Sequence, residues 1–411
     1  MSTLSRTTRR VPGISQGIAL LLPVTLAVIG VGIFTPTINL MQRHFNAVHN
    51  SAYLVNLLQT MPGFWIVAFS PVAGWLADRY GRRHVLLLTM VLYAIAGVAP
   101  FWMDNIWAIL GTRCIVGACE SVILTVTTTM LCDYFHGRTR ERWLASQTGV
   151  SSLSALFIYK LGGYLGAKFG WHGPFLVYLY SLILVVFVFL LCWEPEPSES
   201  NAAEVAQVNA AAIYREIPWA RTSMILAITL VGSIFFYSTI TQNANALVQL
   251  HVQDLNQIGS YATYASFGVP LGTVAFWLFG RLRIQVLLAV EFLLIGIGFL
   301  FMSAATSPMA YVWAANVQQI GCGMALPTLL VWGTGGFSFD LRGRANGLWQ
   351  GAFGMGLFVS GVTLQYLATT FGGSLLSAFG ALGIVSLGAA LAAAVAMFAR
   401  RGALWQPPAG S

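Results

Sequence analysis

Apolar runs dominate this chain and recur at a regular spacing. Stretches of about 18 or more apolar residues are long enough to cross a bilayer as a helix. Twelve such spans fall near 14–39, 53–76, 85–103, 107–132, 144–167, 173–193, 222–246, 258–280, 285–303, 309–333, 345–369 and 374–399. Short polar joints separate most of them. One long hydrophilic stretch, Glu194 to Arg221, interrupts the series between the sixth and seventh spans. Pro195, Pro197, Glu194, Glu196, Glu199 and Glu204 leave it little to bury, so it reads as a linker. The pattern therefore predicts an all-α membrane protein in which a six-helix bundle (1–193) is joined by a linker (194–221) to a second six-helix bundle (222–411). The first span follows Arg6, Arg9 and Arg10 as a signal peptide would, but its apolar run exceeds the roughly 7–15 residues of a signal core, so it is expected to remain as a helix.

Composition agrees with lipid as the solvent: 57% of the 411 residues are hydrophobic, 8% are charged and the mean hydropathy is +0.73. Soluble domains carry about 25% charged residues, which argues against a soluble enzyme. The net charge of +8 is a matter of topology. With both termini on one face, that face receives Arg6, Arg9, Arg10, Arg79, Arg82, Arg83, Arg138, Arg140, Arg142, Arg215, Arg221, Arg281, Arg283, Arg342, Arg344, Arg400 and Arg401, which is 17 of the 21 Lys and Arg. Arg43 and Lys168 fall on the other face. Such asymmetry marks the cytoplasmic side, and a belt at the inner leaflet accounts for the charge without nucleic acid as a partner. Cys114, Cys119, Cys132, Cys192 and Cys322 lie in or at the ends of apolar spans without metal-ligand spacing, and read as buried apolar thiols. All six histidines fall in or beside loops, so no histidine relay at the midplane is expected.

The halves echo one another. Arg138-x-Arg140 followed by Leu144 recurs as Arg342-x-Arg344 followed by Leu348, an offset of 204 residues. Repeated halves are the common construction of secondary transporters, with the site between them near the midplane. Between the second and third spans the chain reads Gly74-Trp75-Leu76-Ala77-Asp78-Arg79-Tyr80-Gly81-Arg82-Arg83. This resembles, at every defined position, the loop signature of the major facilitator superfamily. In the fourth span, Leu110-Gly111-Thr112-Arg113-Cys114-Ile115-Val116-Gly117-Ala118 is similar to a pattern of that superfamily's drug:proton antiporter branch. In the fifth, Gly162-Gly163 matches a further branch signature, but Ile158-Tyr159 stands where Gly-Pro belongs. The second half's copy of the loop is reduced to Gly280-Arg281-Leu282-Arg283.

The resemblance implies two pseudo-symmetric six-helix bundles, alternating access around a central site, and mostly monomeric function. It also implies that Gly74, Asp78, Arg79, Gly81, Arg82 and Arg83 latch the cytoplasmic side of one half against the other. Gly74 would allow close helix approach, Gly81 a tight turn, and Asp78 would accept hydrogen bonds from arginines or a helix N-terminus.

A charge at mid-bilayer costs about 2.5–3.5 kcal/mol on insertion scales, which singles out Arg113, Glu120, Lys160 and Glu291. Arg113 and Glu120, seven residues apart on one helix, share a face with about 10.5 Å of rise between them. Burial raises a carboxyl pKa and a nearby arginine lowers it, so Glu120 could switch between charged and neutral; the resemblance implies that Arg113 tunes proton coupling with it, against a fixed structural pair. Lys160, beside Tyr159, is expected in the substrate cavity, where it would bind an anion or neutralise Glu120; snorkelling is the third option. Glu291 is expected to pair with Arg281 or Arg283. Tyr237, Gln242, Asn243 and Asn245 make the seventh span unusually polar and, with Asn346, Trp349 and Gln350 on the eleventh, are candidate cavity residues. Asn56, Gln59, Asn316, Gln318 and Gln319 are weaker ones, since interhelical hydrogen bonding explains such residues equally well.

The leading expectation is a proton-coupled secondary transporter exporting small organic molecules from a bacterial inner membrane. An organic-anion transporter using Lys160 and Arg113 stays open, motivated also by the broken fifth-span motif. A non-transporting sensor with the same fold is the alternative of another class. No nucleotide loop, nucleophile constellation or metal spacing points to an enzyme, and no cofactor or metal is expected; energy would come from an ion gradient or the substrate's own.

Overall fold

The computed structural model describes residues 12–195, 218–334 and 339–399. Arg6, Arg9, Arg10, Arg215, Arg400, Arg401 and the linker residues Glu196, Pro197, Glu199 and Glu204 lie outside the described residues, as do the side chains of Arg342, Arg344 and Asn346. Twelve helical passages follow one another: α1 Ile14–His44, α2 Ser51–Tyr80, α3 Arg82–Trp102, α4 Ile106–Tyr134, α5 Gly137–Phe169, α6 Tyr180–Leu191 led by the 3-10 stretch Gly170–Leu179, α7 Trp219–Gln249, α8 Leu255–Phe279, α9 Ile284–Ser303, α10 Pro308–Thr334, α11 Phe339–Thr370 and α12 Leu375–Ala399. They alternate in direction. The arginine-rich joints, such as Arg79–Arg83 and Arg281–Arg283, therefore share one face, called here the basic face.

Several helices outrun their hydropathy limits: α2 begins two residues before and ends four residues after the apolar run at 53–76, and α5 starts at Gly137 rather than near 144. Hydropathy registers only the part of a helix in hydrocarbon, while the polar end turns continue into the interface. Local signals explain the ends. Asn105 accepts from the N–H groups of Trp107 and Ala108 at the start of α4, and Asp254 accepts from Asn256 N–H at the start of α8, satisfying donors that a first helical turn leaves free. Gly81, at φ 89°, makes the sharp join of α2 to α3 in a region that disfavours side chains.

Within the halves, α4 packs on α2, α9 on both α10 and α12, and α7 on α11. Between the halves the principal seams are α2 with α11 and α5 with α8. At both, glycine lets backbones meet. A Cβ on Gly63 would stand 2.9 Å from the Gly354 carbonyl oxygen, and one on Gly163 would collide with the Leu255 carbonyl and stand 3.2 Å from Gly259 Cα. Its neighbour Gly162 faces α1 instead, against the Ile33 carbonyl, so the glycine pair serves two interfaces at once.

Candidate functional site

The two halves are sealed toward the face opposite the arginines. Gln242 on α7 donates to Asn56 on α2 (2.9 Å), Asn56 donates to Gln365 on α11 (3.2 Å), and Asn245 donates to Gln242 (2.6 Å). Thr35 on α1 donates to the Ile240 carbonyl (3.2 Å), and Thr263 on α8 donates to the Leu156 carbonyl on α5 (2.9 Å). Gln59 anchors this seam within the first half, donating to the Val31 carbonyl (2.7 Å) and to Thr35 (3.0 Å). Toward the basic face the seam peters out: Gly74, Gly149 and Gly347 have nothing within 4 Å of where a Cβ would stand. The hydrogen bonds found between the halves gather on this one side of the bundle.

This geometry corrects the cavity expectation for the seventh span. Gln242 and Asn245 are buried in the seal rather than lining an open cavity, because they sit toward the α7 end where the halves touch. Asn243 is buried, and its Oδ1 has no partner among the described residues. Half-buried Tyr237 packs against the Phe353 ring (5.2 Å), and Phe353 in turn stacks on buried Trp349 (5.4 Å, 4° between planes). Trp349 thus joins the α7–α11 packing of the second half, whereas Gln350 is exposed. Gln318 ties α10 to α7 through Thr239 and the Phe235 carbonyl, and Asn316 ties α10 to the Tyr264 carbonyl. Gln319 is buried, with no partner for its Oε1 among the described residues.

Lys160 also departs from expectation. It is exposed on the side of α5 that carries Leu153, Phe157, Leu161 and Tyr164, all exposed and apolar or aromatic. Tyr159, a turn of about 100° away, is buried where its carbonyl meets Gly259 of α8. A lysine on the outer stripe neither reaches Glu120 nor enters the space between the halves, and its stem can run along apolar surface toward the headgroups.

Arg113 is fully buried and held in an aromatic cage. Its guanidinium lies 5.3 Å from the ring centroids of Phe34 and Phe175 and 4.9 Å from that of Tyr178, and Nη1 donates to the Tyr178 hydroxyl at 2.6 Å. Cation–π attraction strengthens when the charge is shielded from water. A crevice with no room for a water molecule borders Arg113, Phe34 and Gln59. Glu120, one face and two turns along α4, is 1% exposed and abuts Gly30 of α1 so closely that any side chain there would strike its Oε1. Neither carboxyl oxygen has a hydrogen-bond partner among the described residues. The couple is thus not a fixed ion pair.

The signature loop is held within its own half. Arg82 forms an ion pair with Asp133 at the end of α4 and stands 3.7 Å from Asp78. Glu194, the first linker residue, accepts from the backbone N–H groups of Arg82 (2.6 Å) and Arg83 (2.9 Å), placing a carboxylate on the positive end of α3. Arg83 donates to the Phe189 carbonyl (2.8 Å), and Arg79 lies over the rings of Trp75 and Tyr80. Asp78 is mostly exposed. It is Glu194, not Asp78, that caps a helix, and Gly74 makes no close helix approach.

Residues 20–338 match the Major Facilitator Superfamily. The chain belongs to that family. Among solved structures it is similar to a nucleoside transporter (TM-score 0.73, 13% identity, 93% of this chain and 99% of that one) and a D-xylose–proton symporter (0.72, 14%, 92% and 97%). At such identities the likeness is one of fold. Among curated sequences, an efflux pump of Dothistroma septosporum is 29% identical over 39% of this chain and 27% of its own length. The class H tetracycline resistance protein of Pasteurella multocida is 26% identical over 47% of this chain and 48% of its own. These matches span less than half the length of those relatives. A superfamily member is a transporter embedded in the membrane, and the all-helical two-bundle architecture is that of the family.

The roles of Asp133 and Glu194 at the signature loop come from the structure alone. Asp133 sits at the end of an apolar span and Glu194 at the head of the linker; nothing in their neighbours' spacing tied them to a loop 50 and 110 residues away. Glu291 does not make the expected pair with Arg281 or Arg283. It is buried and bonded to Thr328, while Arg281 and Arg283 are exposed beyond the start of α9.

Proposed function

We propose that this transporter exports small amphipathic organic molecules in exchange for protons, by alternating access of the halves 1–193 and 222–411, joined by 194–221. The buried Glu120, unpartnered beside the caged Arg113, carries the reading. A buried carboxylate without a partner is costly, so Glu120 takes up and gives off a proton as its surroundings change, and Arg113 biases that exchange through its charge. The arginine-rich face is the cytoplasmic face of a bacterial inner membrane, and contacts that seal the opposite side favour access from within. The signature loop rests within its own half in this state and latches the halves when the inner side closes. Similarity to efflux and tetracycline resistance proteins supports export and suggests the first compounds to try. The exposed position of Lys160 removes one motive for an anion transporter and leaves that reading to Arg113 and the broken fifth-span motif.

Reconstitution in liposomes tests this. With a transmembrane pH gradient, tetracycline and ethidium should be moved against their own gradients, and the movement should collapse with a protonophore. Glu120→Gln should lose gradient-driven transport while keeping counterflow of the same compound. Transport indifferent to the pH gradient, or untouched in Glu120→Gln, would sink the proton-exchange reading.

A further inference from the structure

The second half holds a buried acid of a different kind. Glu291 lies on α9, about 10.5 Å along the helix from its start at Ile284, and is 0% exposed. Its Oε1 is 2.5 Å from the Thr328 hydroxyl on α10, and its Oε2 has no partner among the described residues. Among the described residues, the groups facing it bring no positive charge. From α10 comes the buried thiol of Cys322; α12 contributes no ionisable side chain between 375 and 399; α7 meets α9 through Phe235 against Phe292 and Phe299.

The Thr328 hydroxyl is also 3.0 Å from the Met324 carbonyl, one turn back on its own helix. One hydroxyl has one proton and cannot donate to both oxygens. A neutral Glu291 resolves the conflict: the carboxylic acid donates to Thr328 Oγ, which donates onward to Met324. Loss of the proton forces the hydroxyl to turn to the carboxylate and abandon the Met324 carbonyl. That carbonyl lies in a weakened stretch of α10, because Pro327 has no N–H to bond back to Gly323. Here α10 also touches both neighbours by backbone, with Gly321 against the Glu291 carbonyl and Gly323 against Val269 of α8. A small cleft of about 20 Å³, with Leu282, Trp332 and Thr328 on its walls, lies at this end of the second half, toward the basic face.

We infer that Glu291 and Thr328 form a second protonation site, in which Glu291 is neutral in the state seen here and releases its proton through the Thr328 cleft toward the basic face, resetting the hydrogen bond at the Pro327 break of α10. The site takes a proton and needs no other ligand. This deepens the proton-exchange reading and rests on it only for the transport consequence.

Infrared difference spectroscopy of the protein in liposomes, titrated with pH, decides the matter without any substrate. The expected result is a protonated-carboxyl C=O band that disappears in Glu291→Gln but survives in Glu120→Gln. The band should shift when Thr328→Val removes the hydroxyl and return to its position in Thr328→Ser. Absence of any band removed by Glu291→Gln would overturn the inference, as would a band that Thr328→Val leaves in place. With tetracycline as the transported compound, Glu291→Gln should lose pH-gradient-driven movement and keep counterflow; equal loss of both would mean a structural role. Should the wild type move no tetracycline in either assay, the export reading fails while the infrared result still judges the site.

Discussion

The two faces of this bundle are held by different chemistry. Where the halves touch, the contacts are glycine backbones and neutral groups: Gly163 on Gly259, Gly63 on Gly354, and the chain of Asn245, Gln242, Asn56 and Gln365. Where the arginines cluster, the described contacts of the signature loop are ionic and stay inside the first half, joining Arg82 to Asp133 and Glu194 to the start of α3. A neutral hydrogen bond contributes about 0.5–1.5 kcal/mol net. Breaking a buried ion pair by removing one partner costs about 3–5 kcal/mol. A seam that opens and reforms is economically built from the first kind, and a half that moves as one body is held by the second.

The largest expected effect comes from overfilling the seam. Gly163→Leu would drive a side chain into the Leu255–Gly259 backbone, at about 1–3 kcal/mol of overpacking. In a cysteine-free background, labelling of Asn245→Cys from the opposite face should rise roughly five- to 150-fold; unchanged labelling would show that the seam is not what closes that face. Next is Asp133→Asn. Because the pair is only partly buried, the cost should fall to about 1–3 kcal/mol, read as a melting temperature several degrees lower with labelling at position 245 unaltered. A rise in that labelling would mean the ion pair spans both faces after all. Asn56→Ala removes two bonds that cross the seam, to Gln242 and Gln365, and at the low end of about 0.5–1.5 kcal/mol for each should appear as a roughly fivefold rise in the same labelling with little change in melting. Smallest is Lys160→Gln, expected to leave tetracycline transport and seam labelling alone; a clear loss of either would return Lys160 to the space between the halves.

Much of the architecture was legible from the chain. Apolar runs set by bilayer thickness located all twelve passages, and the arginine distribution sorted their ends. Gly81 was readable as a turn because a positive φ leaves few alternatives to glycine. The polar seventh span was read as significant but placed wrongly: polarity marks Gln242 and Asn245 as buried among helices, while whether they face a cavity or a partner helix depends on how two bundles tilt. Lys160 failed for a simpler reason. Hydropathy gives depth along a helix but not rotation about it, and about 100° separates Lys160 from Tyr159.

What the sequence by itself determined is the class of molecule: a membrane-spanning transporter fold, its two halves and the ionisable residues that lie within its spans. Those follow from transfer energies summed over about twenty residues at a time, which neighbours in space barely alter. Only the tertiary structure decided partners. Arg113 found three aromatic rings, Glu291 found a hydroxyl instead of an arginine, and Glu194 found a helix end 111 residues away. Such pairings turn on a few ångströms between helices, and hydrogen bonds and ion pairs are lost over distances that leave hydropathy unchanged.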